Sequence, residues 1–322
     1  MADAPPLEPG AVVTVPEVAV KWWQDYLTIL NAIATLATAY TGLYFIFRGQ
    51  ANLPMYEAYW ELSEPPFDNS PNPKFFYLSP EHEEALVRLV YTVRHRKGCG
   101  MLTGEYGCGK TTLSRALIQR LEAERYEIGL LTNPCWNAVD FLREVLYQLG
   151  AETQETRKPE LLHVLNDLFF RNFQAGRDTV VIVDEAQLIE DDAVFEELRL
   201  LMNFQTDERF LVTLLLIGSP ELAVKVRRLK HLDQRITLRY HLNTLDYMHT
   251  ANYIGHRLRM AGQPNPLFTE ESIKLIFDFT RGTPREINNL CDVALLVGYS
   301  KRVKEIGEKI IAEVIKDMVG VS

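Results

Sequence analysis

Cysteine is scarce in this sequence, and its four cysteines lack the spacing that disulfide scaffolds and zinc sites need. Among 322 residues they are Cys99, Cys108, Cys135 and Cys291, with no CxxC pair and no histidine at a zinc-like distance. We therefore expect free thiols in a reducing compartment. Disulfide scaffolds and structural zinc sites are excluded as the basis of the fold.

Positive charge is also in short supply, since 43 acidic residues outnumber 34 Lys and Arg and give a net charge of −9. A chain of this sign does not coat nucleic acid through bulk charge, so a contact with DNA would need a local basic patch. Disorder-promoting bias is absent too, because 47% of the residues are hydrophobic and 24% are charged, near the average of globular proteins. The length suits one large or two small domains.

Charged residues are missing altogether from 26–47, a run of 22 residues. A helix of that length spans about 33 Å, enough for a hydrocarbon core of about 30 Å. Aromatic residues at both ends, with Lys21 and Arg48 just outside, are typical of interfacial anchors. We predict a flexible tail over 1–24 and a transmembrane helix over 25–48 that contacts the bilayer. A buried or interfacial helix is the alternative, because threonines dilute the apolarity.

A glycine-rich segment at 104–111 matches the phosphate-binding loop GxxxxGK[ST]. It follows a short apolar strand and precedes a helical pattern, which is the context that the motif requires. The glycines let backbone N–H groups face phosphate, Lys110 can reach the β- and γ-phosphates, and Thr111 can bind Mg²⁺. The residues predicted to bind ATP here are Gly104, Glu105, Tyr106, Gly107, Cys108, Gly109, Lys110, Thr111 and Thr112.

Two adjacent carboxylates, Asp184 and Glu185, end a run of β-branched residues that predicts a buried strand. This pattern is typical of a Walker B motif. Asp184 is predicted to bind ATP and to complete the Mg²⁺ site with Thr111, and Glu185 to act as the general base on the attacking water. Capping residues at a strand-to-helix turn are the alternative. The two motifs together predict an ATPase with ATP and Mg²⁺ as cofactors and Lys110 among its catalytic residues.

Strands alternate with helices over 75–245, and this alternation predicts an α/β fold, a three-layer αβα domain with a parallel sheet. The site is expected at the carboxyl ends of the strands. Amphipathic helical patterns over 246–322 predict a helical lid domain. The proline-rich interval 49–74 predicts an irregular connector.

Other polar residues follow predicted strands or lie at the start of predicted helices. Ser219 ends a strand and can touch the γ-phosphate or the water, with a plain loop cap as the equal alternative. Asn133 can hold Glu185 in a resting position, or it is a turn residue before a proline. Arg285 opens a helix from which it can fold down on the nucleotide, although arginines at helix starts are usually solvated. A basic cluster on one predicted helix comprises Lys225, Arg227, Arg228 and Lys230.

Several short motifs resemble the AAA+ ATPases of the ExeA/GspA type from bacterial secretion and pilus systems, which are related to transposition ATPases of the TniB and TnsC kind. Besides the phosphate loop they are PPF at 65–67, FFY at 75–77, HEEAL at 82–86, VDEAQ at 183–187, IGSPEL at 217–222, LDQRI at 232–236 and GTPREIN at 282–288. The resemblance covers about 56–318. It implies that Ser219 is sensor 1, that Arg285 is sensor 2, and that Arg235 is an arginine finger serving a neighbouring subunit.

The resemblance also implies rings of several copies, for which we expect a hexamer. We predict a single-pass protein of the bacterial inner membrane, with its ATPase domain in the cytoplasm, that remodels or positions an envelope or secretion protein. Two alternatives stay open. One is a DNA-binding regulator of the transposition type, which the basic helix favours and the net charge disfavours. The other is an ATP-binding switch or scaffold with little turnover.

Overall fold

The computed structural model describes residues 55–70, 72–134 and 136–320 of the chain. The predicted tail and transmembrane helix, over 1–24 and 25–48, lie outside this part. Among the residues that are described, no helix combines the length and apolarity needed to cross a membrane.

Helices and strands alternate from residue 80 to residue 242, which confirms the predicted α/β pattern. The elements are α1 (Pro80–Arg94), β1 (Cys99–Gly104), α2 (Lys110–Arg120), β2 (Tyr126–Leu131), α3 (Ala138–Gln148), α4 (Lys158–Gln174), β3 (Asp178–Val183), α5 (Asp192–Leu201), β4 (Val212–Gly218), α6 (Pro220–Arg228), α7 (Lys230–Asp233) and β5 (Ile236–Leu242). Four helices follow them, which are α8 (Tyr247–Met260), α9 (Glu270–Thr280), α10 (Pro284–Ser300) and α11 (Glu308–Val319).

The strands form one parallel sheet in the order β2-β3-β4-β1-β5. The central strands β1 and β4 are buried at every position, because helices cover both faces of the sheet. Phe141, Leu165 and Phe195 pack on one face, and Leu86 and Leu113 pack on the other. The predicted three layers are therefore present.

The register of the strands brings together the turns that follow β1, β3 and β4, at the carboxyl ends of the strands. Thr103 of β1 pairs with Gly218 of β4, and Val183 of β3 pairs with Leu216 of β4. The residues that follow these strands therefore emerge side by side at the carboxyl edge. This arrangement places the phosphate loop, the two acidic residues and Ser219 in one neighbourhood.

The segment before α1 packs into the helical part, which the sequence did not lead us to expect. Tyr56, Trp60 and Phe67 are buried in one hydrophobic core with residues of α8, α10 and α11. The Trp60 indole N–H donates to the carbonyl of Leu295 over 3.0 Å. Between residues 55 and 79 the only regular element in the described part is a 3₁₀ turn at Pro73–Phe75. The interval 49–74, predicted as a connector, thus contributes core residues through aromatic side chains instead of regular structure.

Candidate nucleotide-binding site

The phosphate loop joins β1 to α2 and depends on two of its glycines. Gly107 and Gly109 have φ values of 82° and 92°, in the left-handed region that favours glycine. A Cβ at Gly107 would lie 2.8 Å from the Cβ of Arg285, and one at Gly109 would lie 3.1 Å from Nε2 of His82. Both glycines are therefore needed for the turn and for close packing. Helix α2 begins directly after the loop, so its free N–H groups open toward it.

Lys110 and Thr111 connect the loop to itself and to the acidic turn after β3. Lys110 is 5% exposed, and its ammonium donates to the carbonyls of Gly104 and Glu105 over 2.8 and 2.9 Å. The Thr111 hydroxyl donates to Oδ2 of Asp184 over 2.8 Å. Burial raises the pKa of Asp184, and the hydrogen bond from Thr111 opposes that rise.

Glu185 follows Asp184 in a strained conformation. Its φ of 52° is left-handed, which costs a residue with a side chain roughly 1–2 kcal/mol. Its N–H donates to Oδ1 of Asp184 over 2.9 Å, and its side chain lines the cavity above the phosphate loop. Such strain persists only where the surroundings hold it.

Gln187, and not Asn133, contacts the Glu185 carboxylate, so of the two interpretations of Asn133 the structure does not support the one in which it holds Glu185. The Gln187 amide donates from Nε2 to Oε2 of Glu185 over 2.6 Å. Asn133 is exposed, and within the described part of the chain it forms no hydrogen bond with Glu185. Gln187 lies in the VDEAQ motif, so the sequence marks the residue, although the motif alone does not indicate its role.

Ser219 is fully buried at the end of β4, where it caps α6. Its hydroxyl donates to the carboxylate of Glu221, and its backbone N–H donates to Oε1 of Gln187 over 3.0 Å. The side chain is not among those that line the cavity. The sensor 1 role of Ser219 stays a prediction, and its connection to Glu185 runs through Gln187.

Arg285 lies against the phosphate loop at the start of α10. Its backbone N–H donates to the carbonyl of Gly107 over 3.3 Å, and its exposed side chain lines the cavity. Gly282 fixes this approach, because its φ is 76° and a Cβ there would lie 1.8 Å from the carbonyl oxygen of Leu245. The Leu245 N–H donates back to the carbonyl of Gly282 over 2.9 Å.

Arg235 lies at the amino ends of the strands, whereas the phosphate loop of its own chain lies at their carboxyl ends. It directly precedes β5, whose first residue pairs with Cys99, the first residue of β1. The guanidinium is exposed and donates to Oδ1 of Asn203 over 3.3 Å. The structure therefore does not bring Arg235 to the site within one chain.

The cavity above the phosphate loop has a volume of about 240 Å³ and a mixed lining. Lys110, Thr111 and Glu185 contribute polar groups to it. The lining also includes aromatic and apolar residues, which are Phe75, Phe76, Tyr77, Leu245, Tyr253 and Pro284, together with the polar residues Arg257 and Asn288. The FFY motif at 75–77 therefore forms part of the cavity wall.

His82 supports the phosphate loop from the side of α1. Its ring is 4% exposed, and Nε2 lies 2.9 Å from the carbonyl oxygen of Cys108. Because a carbonyl only accepts, Nε2 carries a proton. The other ring nitrogen, Nδ1, lies 2.7 Å from the hydroxyl oxygen of Ser79, which also contacts the carboxylate of Glu81 at 3.0 Å. Burial lowers the pKa of His82, in keeping with a neutral ring.

Comparisons with known proteins agree with this geometry. A family profile described as the AAA domain matches residues 93–225. The chain is 41% identical over 251 residues to General secretion pathway protein A of Aeromonas hydrophila, covering 77% of this chain and 45% of that protein. The chain contains an AAA domain and is similar to General secretion pathway protein A. The resemblance found in the motifs is thus confirmed.

A second relative, DNA polymerase III subunit gamma of Buchnera aphidicola, is 23% identical over 206 residues, covering 61% of this chain and 51% of that protein. The AAA+ chain spans about half the length of both relatives. Among solved structures, the Aeropyrum pernix ORC2 protein (ADPNP-ADP complexes) matches with a TM-score of 0.58 at 18% identity, over 79% of this chain and 71% of that one. Drosophila ORC bound to DNA matches with a TM-score of 0.60 at 18% identity, over 84% and 67%. At such identities these structures support the fold alone.

Proposed function

We propose that this AAA+ chain binds ATP in the cavity above the phosphate loop and hydrolyses it. The observation that carries the proposal is the 2.8 Å contact between Oγ1 of Thr111 and Oδ2 of Asp184, with Lys110 and Glu185 beside it. This contact joins the two motifs at one edge of the sheet. A pair of capping residues at a turn would not need a partner on the phosphate loop.

The oxygen atoms at this contact suit Mg²⁺. A threonine hydroxyl and a carboxylate are hard ligands, and Mg²⁺ usually takes only one or two protein oxygens beside phosphate and water. Thr111 and Asp184 would hold the ion, which when bound to ATP supplies charge neutralisation at the phosphates. Asp184 is buried, and its hydrogen-bond partner is the Thr111 hydroxyl, which would be the other protein ligand of the same ion.

The other residues divide the remaining work. Lys110 exchanges the carbonyls of its own loop for phosphate oxygens and offsets their charge. Glu185 accepts the proton of the attacking water at its carboxylate. Arg285, which lines the cavity beside the phosphate loop, adds positive charge at the phosphates. Phe75, Leu245 and the other apolar residues that line the same cavity would pack against the adenine ring.

Steady-state turnover tests this proposal. Purified full-length protein should release phosphate from ATP in the presence of Mg²⁺, and Lys110→Ala should abolish binding because it removes the charge that meets the phosphates. The proposal fails if the purified protein does not hydrolyse ATP.

For the whole protein we propose an ATPase ring, with a hexamer expected, anchored in the bacterial inner membrane through 26–47 and acting on a partner in an envelope or secretion assembly. The name of the 41% identical relative supports the secretion setting, and the uncharged run supports the anchor. Arg235 supports a ring, because it is exposed at the amino end of β5 and its contact with Asn203 is a long one of 3.3 Å, which a neighbour's phosphates could replace. The ATPase domain would face the cytoplasm, where ATP is.

DNA binding is the second candidate function, and one surface favours it. Arg227, Arg228 and Lys230 are exposed on α6 and α7, whereas Lys225 is engaged in the protein interior. Binding that weakens steeply with rising salt would support this role. Equal retention on DNA and on a neutral matrix would exclude it.

A further inference from the structure

Gln187 joins two parts of the site that are separate in the sequence. From one end of its amide, Nε2 donates to Oε2 of Glu185 over 2.6 Å. At the other end, Oε1 accepts from the backbone N–H of Ser219 over 3.0 Å. One side chain therefore spans from the turn after β3 to the turn after β4.

The position of Gln187 is itself fixed by its surroundings. The residue is 7% exposed, and its main-chain carbonyl accepts from the ammonium of Lys225 over 2.6 Å. The same ammonium donates to the carbonyl of Ile189 over 2.8 Å, so α6 holds the whole turn. Gly218 leaves the space for the amide, since a Cβ there would lie 2.5 Å from Oε1 of Gln187.

The fixed position of Gln187 determines the direction of the Glu185 carboxylate. Its backbone is in the left-handed region, and its side chain has several rotatable bonds, so the carboxylate keeps one direction only when a partner holds it. Gln187 occupies Oε2, while Oε1 has no hydrogen-bond partner in the part of the chain that is described. The free oxygen belongs to a residue that lines the cavity.

We infer that Gln187 is a positioning residue that orients the Glu185 carboxylate toward the attacking water. The inference rests on the proposed function, in which Glu185 takes the proton from that water. Gln187 touches neither nucleotide nor water, and it acts by fixing which oxygen of Glu185 faces the cavity. It also ties that orientation to the end of β4 and to α6, through Ser219 and Lys225.

The test replaces Gln187 with methionine in the full-length protein, which keeps the length of the side chain and removes both hydrogen bonds. We expect kcat to fall by about tenfold or more, toward the ~10² cost of a misplaced catalytic group. The dissociation constant for ATP should change less than about twofold, because Gln187 does not line the cavity. Gln148→Met is the matched control, since Gln148 donates to Glu144 over 2.8 Å on α3, away from the site. The control should leave kcat unchanged.

A second comparison separates positioning from general damage. In a Glu185→Gln background, Gln187→Met should cause little further loss of turnover, because residues that act as one unit are not additive. Unchanged kcat in Gln187→Met, an equal weakening of ATP binding, or a full additional loss in the double variant would each overturn the inference while leaving ATP hydrolysis intact. Absence of turnover in the unmodified protein would instead contradict the proposed function.

Discussion

The imidazole of His82 donates from Nε2 to the carbonyl oxygen of Cys108, at 2.9 Å, and so holds the phosphate loop against α1. A Cβ at the neighbouring Gly109 would lie 3.1 Å from the same nitrogen. The loop therefore packs closely against the His82 ring, with no space for a side chain at Gly109. This contact fixes the direction of one loop carbonyl, and with it the direction of the following N–H groups.

We predict that His82→Ala weakens ATP binding by about tenfold, because a buried carbonyl that loses its donor costs roughly 1–3 kcal/mol. His82→Gln places an N–H donor at a similar distance and should recover most of the affinity. Isothermal titration with ATP measures both variants. Equal affinities for His82→Ala and the unmodified protein would show that the contact does not support the loop.

His82 also predicts a dependence of stability on pH. Burial lowers its pKa in the folded protein below the ordinary value of about 6.5. The unfolded chain therefore takes up the proton first, and stability is lost as pH falls below about 6.5 toward the folded pKa. Urea unfolding at pH 7.5 and pH 5.5 measures this loss, which should be smaller in His82→Gln. An identical loss in both proteins would assign the effect to other groups.

Gly282 is predicted to tolerate no side chain. Its φ is 76° and the Cβ of an alanine would lie 1.8 Å from a backbone oxygen, so Gly282→Ala should destabilise the fold by about 3 kcal/mol or more. Gly176 is a matched control, with a φ of 74° and nothing within 4 Å of the Cβ position. Gly176→Ala should cost only about 1–2 kcal/mol. Similar thermal midpoints for the two variants would contradict the steric argument.

The phosphate loop, the Walker B strand and the parallel sheet could be predicted from the sequence, because each is specified locally. Strand β4 is apolar at most of its positions, and the loop carries its own turn residues at Gly107 and Gly109. A site built from a few neighbouring residues leaves a clear pattern in the sequence. The parallel direction of the strands could also be predicted, but their order in the sheet could be read only from the structure.

Contacts between distant segments could not be predicted. Trp60 belongs to the helical core only because the chain returns to it more than two hundred residues later, at Leu295. No periodicity marks such a residue. No sequence pattern favours Gln187 over Asn133 as the partner of Glu185, because the choice depends on the space that Gly218 leaves beside β4.

Arg235 is predicted to act in a neighbouring subunit. Arg235→Ala and Glu185→Gln should each be inactive, because an arginine finger supplied in trans contributes about 10³-fold or more in rate. Mixtures of the two variants should regain activity at interfaces where an intact Glu185 site meets an intact Arg235. Normal turnover by Arg235→Ala in assembled rings, or mixed rings without rescue, would exclude the role.

The uncharged run at 26–47 is predicted to anchor the protein in the membrane. Carbonate extraction should leave the full chain in the membrane pellet and release a chain that begins at residue 49. The shorter chain keeps Tyr56, Trp60 and the rest of the described core, so its release would not reflect unfolding. Full-length protein in the supernatant would argue for a peripheral attachment.

Glu185→Gln tests the central claim most directly, because it changes one atom of the proposed base and leaves the phosphate loop intact. Nucleotide affinity and phosphate release should be measured on the same preparation. We predict ATP binding within about twofold of the unmodified protein and a loss of turnover of ~10²-fold or more, the scale of general base catalysis. Hydrolysis at the unmodified rate would contradict the assignment of Glu185 and the mechanism built on it.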